Sequence, residues 1–485
     1  METLVPAEPG HVRLYVCGQT VYDHAHVGHM RTELTYDFLV RHLRERGLRV
    51  TYVRNVTDVD DKIIRRAAET GEGPMQLAQR YAAANREDEL QLGLINPDIE
   101  PRVSDHIEPI RALITTLIDK GAAYSSEGDV YFSVEAFPEY GKLSHRKQAD
   151  LEYGASGRLD DSEVQRKRRP ADFALWKAAK PGEISWESPW GNGRPGWHIE
   201  CSAMCMCHLG ESIDVHGGAL DLVFPHHENE IAQSEAATGK PFSRIWMHCG
   251  FLETSREKMS KSLGNFLTAR DCFRLYEPEA LRYLAMTVHY RSPLALDWSV
   301  DAGGVITGSS QLEDAERRVE YVYRTRARLV SIAKARLTEQ GEVADELANF
   351  GNNLNTALED DLNMPVVLAV LAEFLKQVNE LAERTKTKTG RVSQAAVQAG
   401  ERGVALLGMV LGLGCDDPDT WLARVRRRRA LRLGLHEDAI EQKLVERVQA
   451  RKDRDFARAD ALRDEIAALG VELMDGTEGT SWRIP

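Results

Sequence analysis

No stretch of about 18 or more consecutive apolar residues occurs in this 485-residue chain, so no membrane-spanning helix is expected. The opening residues, Met1 to Gly10, lack a basic segment followed by an apolar one, which argues against secretion and for the cytoplasm. A disulfide framework is lacking too. The seven cysteines are an odd count, with Cys201, Cys205 and Cys207 clustered and Cys17, Cys249, Cys272 and Cys415 scattered. That pattern fits reduced thiols, with metal binding or catalysis as the open options. Internal repeats and extended low-complexity tracts are missing. So is an excess of positive charge: 62 Lys and Arg stand against 75 Asp and Glu, a formal net charge of −13. This excludes a chain coated with basic nucleic-acid contacts, although a local basic face is sufficient to meet phosphates.

What remains is a long, globular composition that suggests about three folded units. Val12-Arg-Leu-Tyr-Val16 reads as a strand, and a helical pattern from Val27 to Arg46 spaces Leu34, Phe38, Leu39 and Leu43 for one buried face. Gly47 stops it, and Val50–Val53 supplies a second strand. Strand, helix, strand implies parallel pairing with a right-handed crossover, and doubly wound α/β folds bind ligands where that helix begins. We therefore read 1–98 as the first half of an α/β domain and 99–169 as an insertion with short strands such as Gly128–Ser133. Residues 170–309 form the second half, with short elements at Ile213–Val215 and Trp246–Gly250. Beyond Ser310 the helical periodicity of Leu312–Leu337, Asn353–Glu383 and Ala395–Leu411 predicts a bundle over 310–415. A small domain with two helices and a Gly-containing tail follows over 416–485.

Three constellations carry chemistry. His26-Val27-Gly28-His29 stands at the mouth of the first helix, where backbone N–H groups and the helix dipole favour phosphate. Two imidazoles there can donate to phosphate oxygens, and Gly28 lets a base approach the backbone; the bland alternative is a polar helix cap. Lys258-Met259-Ser260-Lys261-Ser262 offers two point charges for a triphosphate, or is a solvated basic loop. Phe224-Pro-His-His-Glu-Asn-Glu230 starts a helix, with Pro225 in its first turn and His226 and Glu230 on one face. Softer ligands could come from Cys17 and Cys201. Two thiolates, an imidazole and a carboxylate suit zinc better than magnesium or calcium, the alternative being that the cysteines fill the core.

The first two constellations, in this order and on either side of an α/β core, resemble the paired HIGH and KMSKS signatures of class I aminoacyl-tRNA synthetases, with Val27 for isoleucine. Several blocks then resemble the cysteinyl-tRNA synthetases: Cys17–Asp23, Asn55–Asp61, Arg194–Met204, Asp214–Glu230, Lys452–Arg463 and Glu478–Trp482. The resemblance implies a Rossmann-like doubly wound parallel sheet with an inserted connective subdomain, then a helical bundle and a C-terminal anticodon-binding region. It implies cysteine–tRNA ligase activity with L-cysteine, ATP with Mg²⁺, and tRNA-Cys as partners, in a monomer. It also implies zinc ligands at Cys17, Cys201, His226 and Glu230. Gly18, Thr57, Trp197 and His216 would form the amino-acid pocket, and Gly217, Gly218 and Asp221 would face adenosine. His26, Gly28, His29, Lys258 and Lys261 would meet ATP. Gln19 and Ala219 depart from the family pattern and put local geometry in doubt.

A zinc ion that takes the substrate thiolate would reject serine without an editing domain, since oxygen and sulfur differ little in size. An enzyme rival is a ligase that acylates an amino sugar with the same adenylate; another rival is a catalytically silent RNA-binding paralogue. Cys205, Cys207 and His208 are read as packing residues. The basic run Arg424-Val-Arg-Arg-Arg-Arg429 is either a solvated helix face or a contact for RNA phosphates.

Overall fold

A computed structural model describes residues 3–146, 165–180, 182–254, 267–333, 337–387, 391–476 and 479–484. The chain divides into two compact units: one of 1–253 with 288–294 and 358–363, the other of the remainder.

The first unit begins with β1 (His11–Val16), α1 (Val27–Glu45) and β2 (Arg49–Arg54), followed by α2 (Asp61–Thr70), α3 (Pro74–Gln91) and α4 (Ile107–Asp119). Strands β3 (Ala123–Ser126), β4 (Asp129–Phe132), β5 (Phe173–Ala178) and β6 (Gly193–Pro195) come next. They lead into α5 (Trp197–Leu209), β7 (Ile213–Ala219), α6 (Glu228–Thr238) and β8 (Ser243–Cys249). Strands β2, β1, β7 and β8 lie in that order in a parallel sheet, with Leu14 opposite both Tyr52 and Val215. Val12, Leu14, Tyr15 and Val16 are all buried, as in a strand covered on both faces. The chain passes from β1 to β2 on one side and later returns to place β7 on the other, so the strand order reverses between β1 and β7, the point beyond whose carboxyl ends doubly wound folds bind ligands.

The predicted β-α-β opening is present, but α1 is buried almost all round rather than on one face. Its polar residues are spent internally. Arg31 donates to the carbonyl of Gly250 (2.8 Å), Asp37 pairs with Arg41 (2.8 Å), and Glu33 accepts from Gln19 (2.6 Å). Strands β3 to β6 form an antiparallel sheet that draws on residues on both sides of position 169. The β3–β4 hairpin turns on Glu127 and Gly128, both with positive φ, as a two-residue hairpin loop demands.

The second unit is dominated by helices, among them Ser310–Ala333, Met364–Thr385, Gln394–Leu411 and Pro418–Arg432. Stacked rings mark its interior: Phe350 on Phe374 at 4.2 Å and Tyr323 on Trp421 at 4.3 Å. The long helical run expected over Asn353–Glu383 is broken after Glu359, where Asp361 and Leu362 both take positive φ. Residues 358–363 belong to the first unit, where the Asp361 carboxylate accepts from Tyr290 (2.8 Å) and Arg291 (2.7 Å). At the C-terminus, helices Glu437–Lys452 and Phe456–Ala468 join a hairpin of Glu472–Gly476 and Gly479–Arg483 around buried Trp482. The indole N–H of Trp482 donates to Glu441 at 2.6 Å.

Most of the basic run is paired with carboxylates, although Arg427 stays 77 % exposed. Arg424 and Arg428 converge on buried Glu277, and Arg429 pairs with Glu316 (3.1 Å) and Glu320 (2.7 Å). Arg426 and Arg427 reach Glu437. An acidic partner more than a hundred residues away absorbs most of the charge. Among the described residues no helix is long and apolar enough to cross a membrane.

Candidate active site and metal centre

Cys17 sits where β1 ends, Cys201 in the second turn of buried α5, His226 just ahead of α6 and Glu230 on it. One ligand atom from each of the four lies within 4.8 Å of the others. The Cys17 thiol donates to Glu230 Oε1 at 3.3 Å, and His226 Nε2 is 3.2 Å from the same oxygen. Exposure is 9 % for Cys17, 2 % for Cys201, 1 % for His226 and nil for Glu230. The helix begins at Glu228, later than predicted, because Phe224 is extended and interrupts the helical run. The two predicted ligands still face each other.

The protonation pattern is that of a site made for a cation. Hydrogen bonding from Cys17 pulls the Cys201 thiol down to about 6, whereas burial drives Cys17 upward. Burial alone would raise Glu230; the His216 and His226 charges overcome it and hold the carboxyl at about 2. Burial likewise opposes the charge on His226, but Glu230 and then Cys201 raise it to about 9. Two thiols, an imidazole and a carboxylate gathered in a buried cluster form a donor set that fits zinc, which would displace the protons they carry.

The predicted amino-acid pocket residues gather around this cluster. The Gly18 N–H donates to Asn55 Oδ1 at 2.9 Å, and a Cβ on Gly18 would run into the Asn55 carbonyl. Asn55 Nδ2 in turn donates to Thr57 Oγ1 at 3.1 Å. Trp197 stacks on His226 at 4.3 Å, and buried His216 places Nε2 3.0 Å from Glu230 Oε2. Gly217 and Gly218 lie in β7 just before its last residue, Ala219, and the Tyr36 hydroxyl accepts the Gly218 N–H at 2.6 Å. Asp221 follows in an exposed turn.

At the head of α1, His26 and His29 cap each other's backbone: His29 N–H donates to His26 Nδ1 (3.3 Å), and His26 N–H to His29 Nδ1 (3.4 Å). Their rings stack at 3.6 Å. With both Nδ1 atoms accepting, this network assigns the proton of each neutral ring to Nε2. Gly28 has a reason the sequence did not suggest: a Cβ there would lie 2.9 Å from His26 Nδ1, so glycine admits the folded-back ring. Lys258 and Lys261 lie outside the described residues.

The family model for the class I (C) tRNA synthetase catalytic domain matches residues 3–301, a DALR domain matches 353–415, and a cysteinyl-tRNA ligase anticodon binding domain matches 436–483. A cysteine–tRNA ligase of Anaeromyxobacter sp. (strain Fw109-5) is 50 % identical, with 99 % of this chain and 97 % of that one covered. The chain belongs to the cysteinyl-tRNA synthetase family. A Geobacter sulfurreducens cysteine–tRNA ligase is 45 % identical over 100 % of this chain and 97 % of its own. Methionyl-tRNA synthetase of Mycobacterium tuberculosis shares the class I fold at 16 % identity, with TM-score 0.59 over 83 % of this chain and 92 % of that one.

Two departures from the family pattern acquire a structural account. Gln19 is tied in on both sides: its carbonyl accepts from Thr57 N–H at 3.1 Å and its amide donates to Glu33 at 2.6 Å. Ala219 continues the parallel ladder opposite Cys249. Sequence reasoning gave no role to Asn55, the hub between Gly18, Thr57 and Cys201, or to His198, whose Nδ1 lies 3.2 Å from that of His226. Both stand inside blocks that carry the family resemblance, but as neighbours of more conspicuous residues.

Proposed function

We propose that this chain is a cysteine–tRNA ligase that activates L-cysteine with Mg-ATP and transfers it to the 3′ end of tRNA-Cys, with zinc held by Cys17, Cys201, His226 and Glu230 selecting cysteine over serine. The observation that carries this reading is the convergence of those four donors from distant parts of the chain. A second set, Cys17, His216, His227 and Glu230, shares two of them and has one thiol; burial pushes the His227 imidazolium well down. We prefer the first set because it brings two sulfur donors to the ion instead of one, the softer set that suits zinc and excludes magnesium or calcium.

Zinc bound there supplies a soft Lewis acid that stabilises a substrate thiolate and matches a serine hydroxyl poorly. A preference of about 5 kcal/mol is more than a thousandfold in selectivity, which a pocket sensing only size would not reach. The chain's own residues do the rest. Gly18, Thr57, Trp197 and His216 hold the amino acid with its carboxylate toward ATP, and Gly217, Gly218 and Asp221 line the adenosine. A cysteine carboxylate oxygen attacks the α-phosphorus, the bond to the β-phosphate oxygen breaks, and pyrophosphate leaves. His26 and His29 donate through Nε2–H to phosphate oxygens, with Lys258 and Lys261 as further cations. A ribose hydroxyl of the tRNA terminus then attacks the cysteinyl carbonyl, and AMP departs. No side-chain nucleophile is required; positioning and electrostatics suffice. The match of 436–483 to an anticodon binding domain favours tRNA over an amino-sugar acceptor.

The test is ATP–pyrophosphate exchange with cysteine and with serine on zinc-replete wild type and Cys17→Ser, followed by charging of tRNA and of an amino sugar. We expect exchange with cysteine alone, dependent on Cys17, and charging of tRNA. Serine accepted as well as cysteine would overturn the selectivity mechanism.

A further inference from the structure

Beyond that site, the surface end of α5 holds a second group of metal-type donors. His106, immediately before α4, faces His208, with their Nε2 atoms 2.8 Å apart, and the exposed Cys207 thiol completes a trio whose ligand atoms lie within 4.8 Å of one another. We propose that His106, Cys207 and His208 form a second, solvent-accessible binding site for a borderline-soft divalent cation, zinc above all.

The hydrogen-bond network prepares His106 for this. Its Nδ1 lies 2.6 Å from the Arg102 carbonyl, which assigns the proton of the neutral ring to Nδ1 and aims a bare Nε2 lone pair at His208. A ligating imidazole ordinarily has its other nitrogen bound to a carbonyl in this way. Two Nε2 atoms at 2.8 Å share one proton, held on His208. A cation takes that proton's place: it moves to His208 Nδ1, the Cys207 thiol proton goes to solvent, and two imidazoles and a thiolate face the ion. The separation must widen from 2.8 Å by about half an ångström to reach tetrahedral spacing at bond lengths of about 2.0–2.1 Å, with the exposed Cys207 thiol completing the set. Three protein ligands leave a position for water or an exchanging ligand, so this site should load and unload more readily than the buried one.

The full chain provides its own control, because Cys207 and Cys415 are both exposed. Iodoacetamide labelling, read by peptide mass spectrometry with and without Zn²⁺, should slow about tenfold at Cys207 and stay unchanged at Cys415. Equilibrium dialysis should give wild type one zinc more than Cys207→Ser or His208→Gln, and that zinc should be the first lost to a chelator. The Cys207 protection should persist in Cys17→Ser, which separates this site from the zinc of the proposed reaction. Equal labelling at Cys207 with and without zinc, together with equal stoichiometry in wild type and both variants, would overturn the proposal.

Discussion

Cys201 and Cys205 lie one turn apart on α5, both fully buried, yet their thiols are pushed in opposite directions. Cys201 faces Cys17, His226 and Glu230, and hydrogen bonding from Cys17 lowers it to about 6. Cys205 is packed in the hydrophobic core, where burial, reinforced by the charges of Glu230 and Cys201, drives its thiol well above the ordinary range. Cys207, two residues further, reaches solvent and meets two imidazoles instead. Burial alone makes a cysteine inert; the donor and counter-charge that accompany it turn it into a ligand.

The largest expected effect breaks this comparison at its reactive end. Cys201→Ser should abolish zinc binding at the proposed site and reduce cysteine-dependent ATP–pyrophosphate exchange by a factor of about a thousand or more, measured with metal analysis on the same sample. Retained metal and retained rate would show that Cys201 is only a buried filler like Cys205. A step smaller, His198→Gln removes the imidazole beside His226 while leaving all four donors. Zinc affinity should fall about 10–100-fold, the usual cost of losing an outer partner, as read by competition with a chromogenic chelator.

Cys205→Ser tests the other side. It places a hydroxyl among apolar residues and should cost about 1–3 kcal/mol in urea unfolding of the zinc-loaded protein, with zinc content unchanged. If Cys205→Ser released metal instead, the division between ligand and filler along α5 would have been drawn in the wrong place.

None of this division was visible in the spacing Cys201-x3-Cys205-x-Cys207. The parallel core was legible because β1 and α1 announce themselves by apolar runs and periodicity, and the four donors were legible from chemical type and family resemblance together. What sequence could not supply was the identity of partners far along the chain. His106 and His208 are 102 residues apart, and nothing in either segment says that α4 and α5 pack side by side. The same gap hid the partners of Arg424, Arg428 and Arg429, whose carboxylates at Glu277, Glu316 and Glu320 lie more than a hundred residues earlier. It also hid the internal cap of His26 on His29, where Gly28 leaves room for the folded-back His26 ring. Local pattern specifies elements; charge and ligation depend on which elements meet.

The smallest expected effect is the sharpest test of that statement. Cys207→Ser alters a solvent-exposed side chain whose metal-capable neighbours are His106 and His208, and those residues lie outside the proposed reaction. Cysteine-dependent exchange and tRNA charging should match wild type within error, and unfolding free energy should shift by no more than about 0.5 kcal/mol, as for surface substitutions generally. Thiol chemistry on α5 would then be set turn by turn by what faces each position. A substantial loss of activity would tie the exposed end of the helix to the buried end through α5 itself, and the two sites would have to be treated as one.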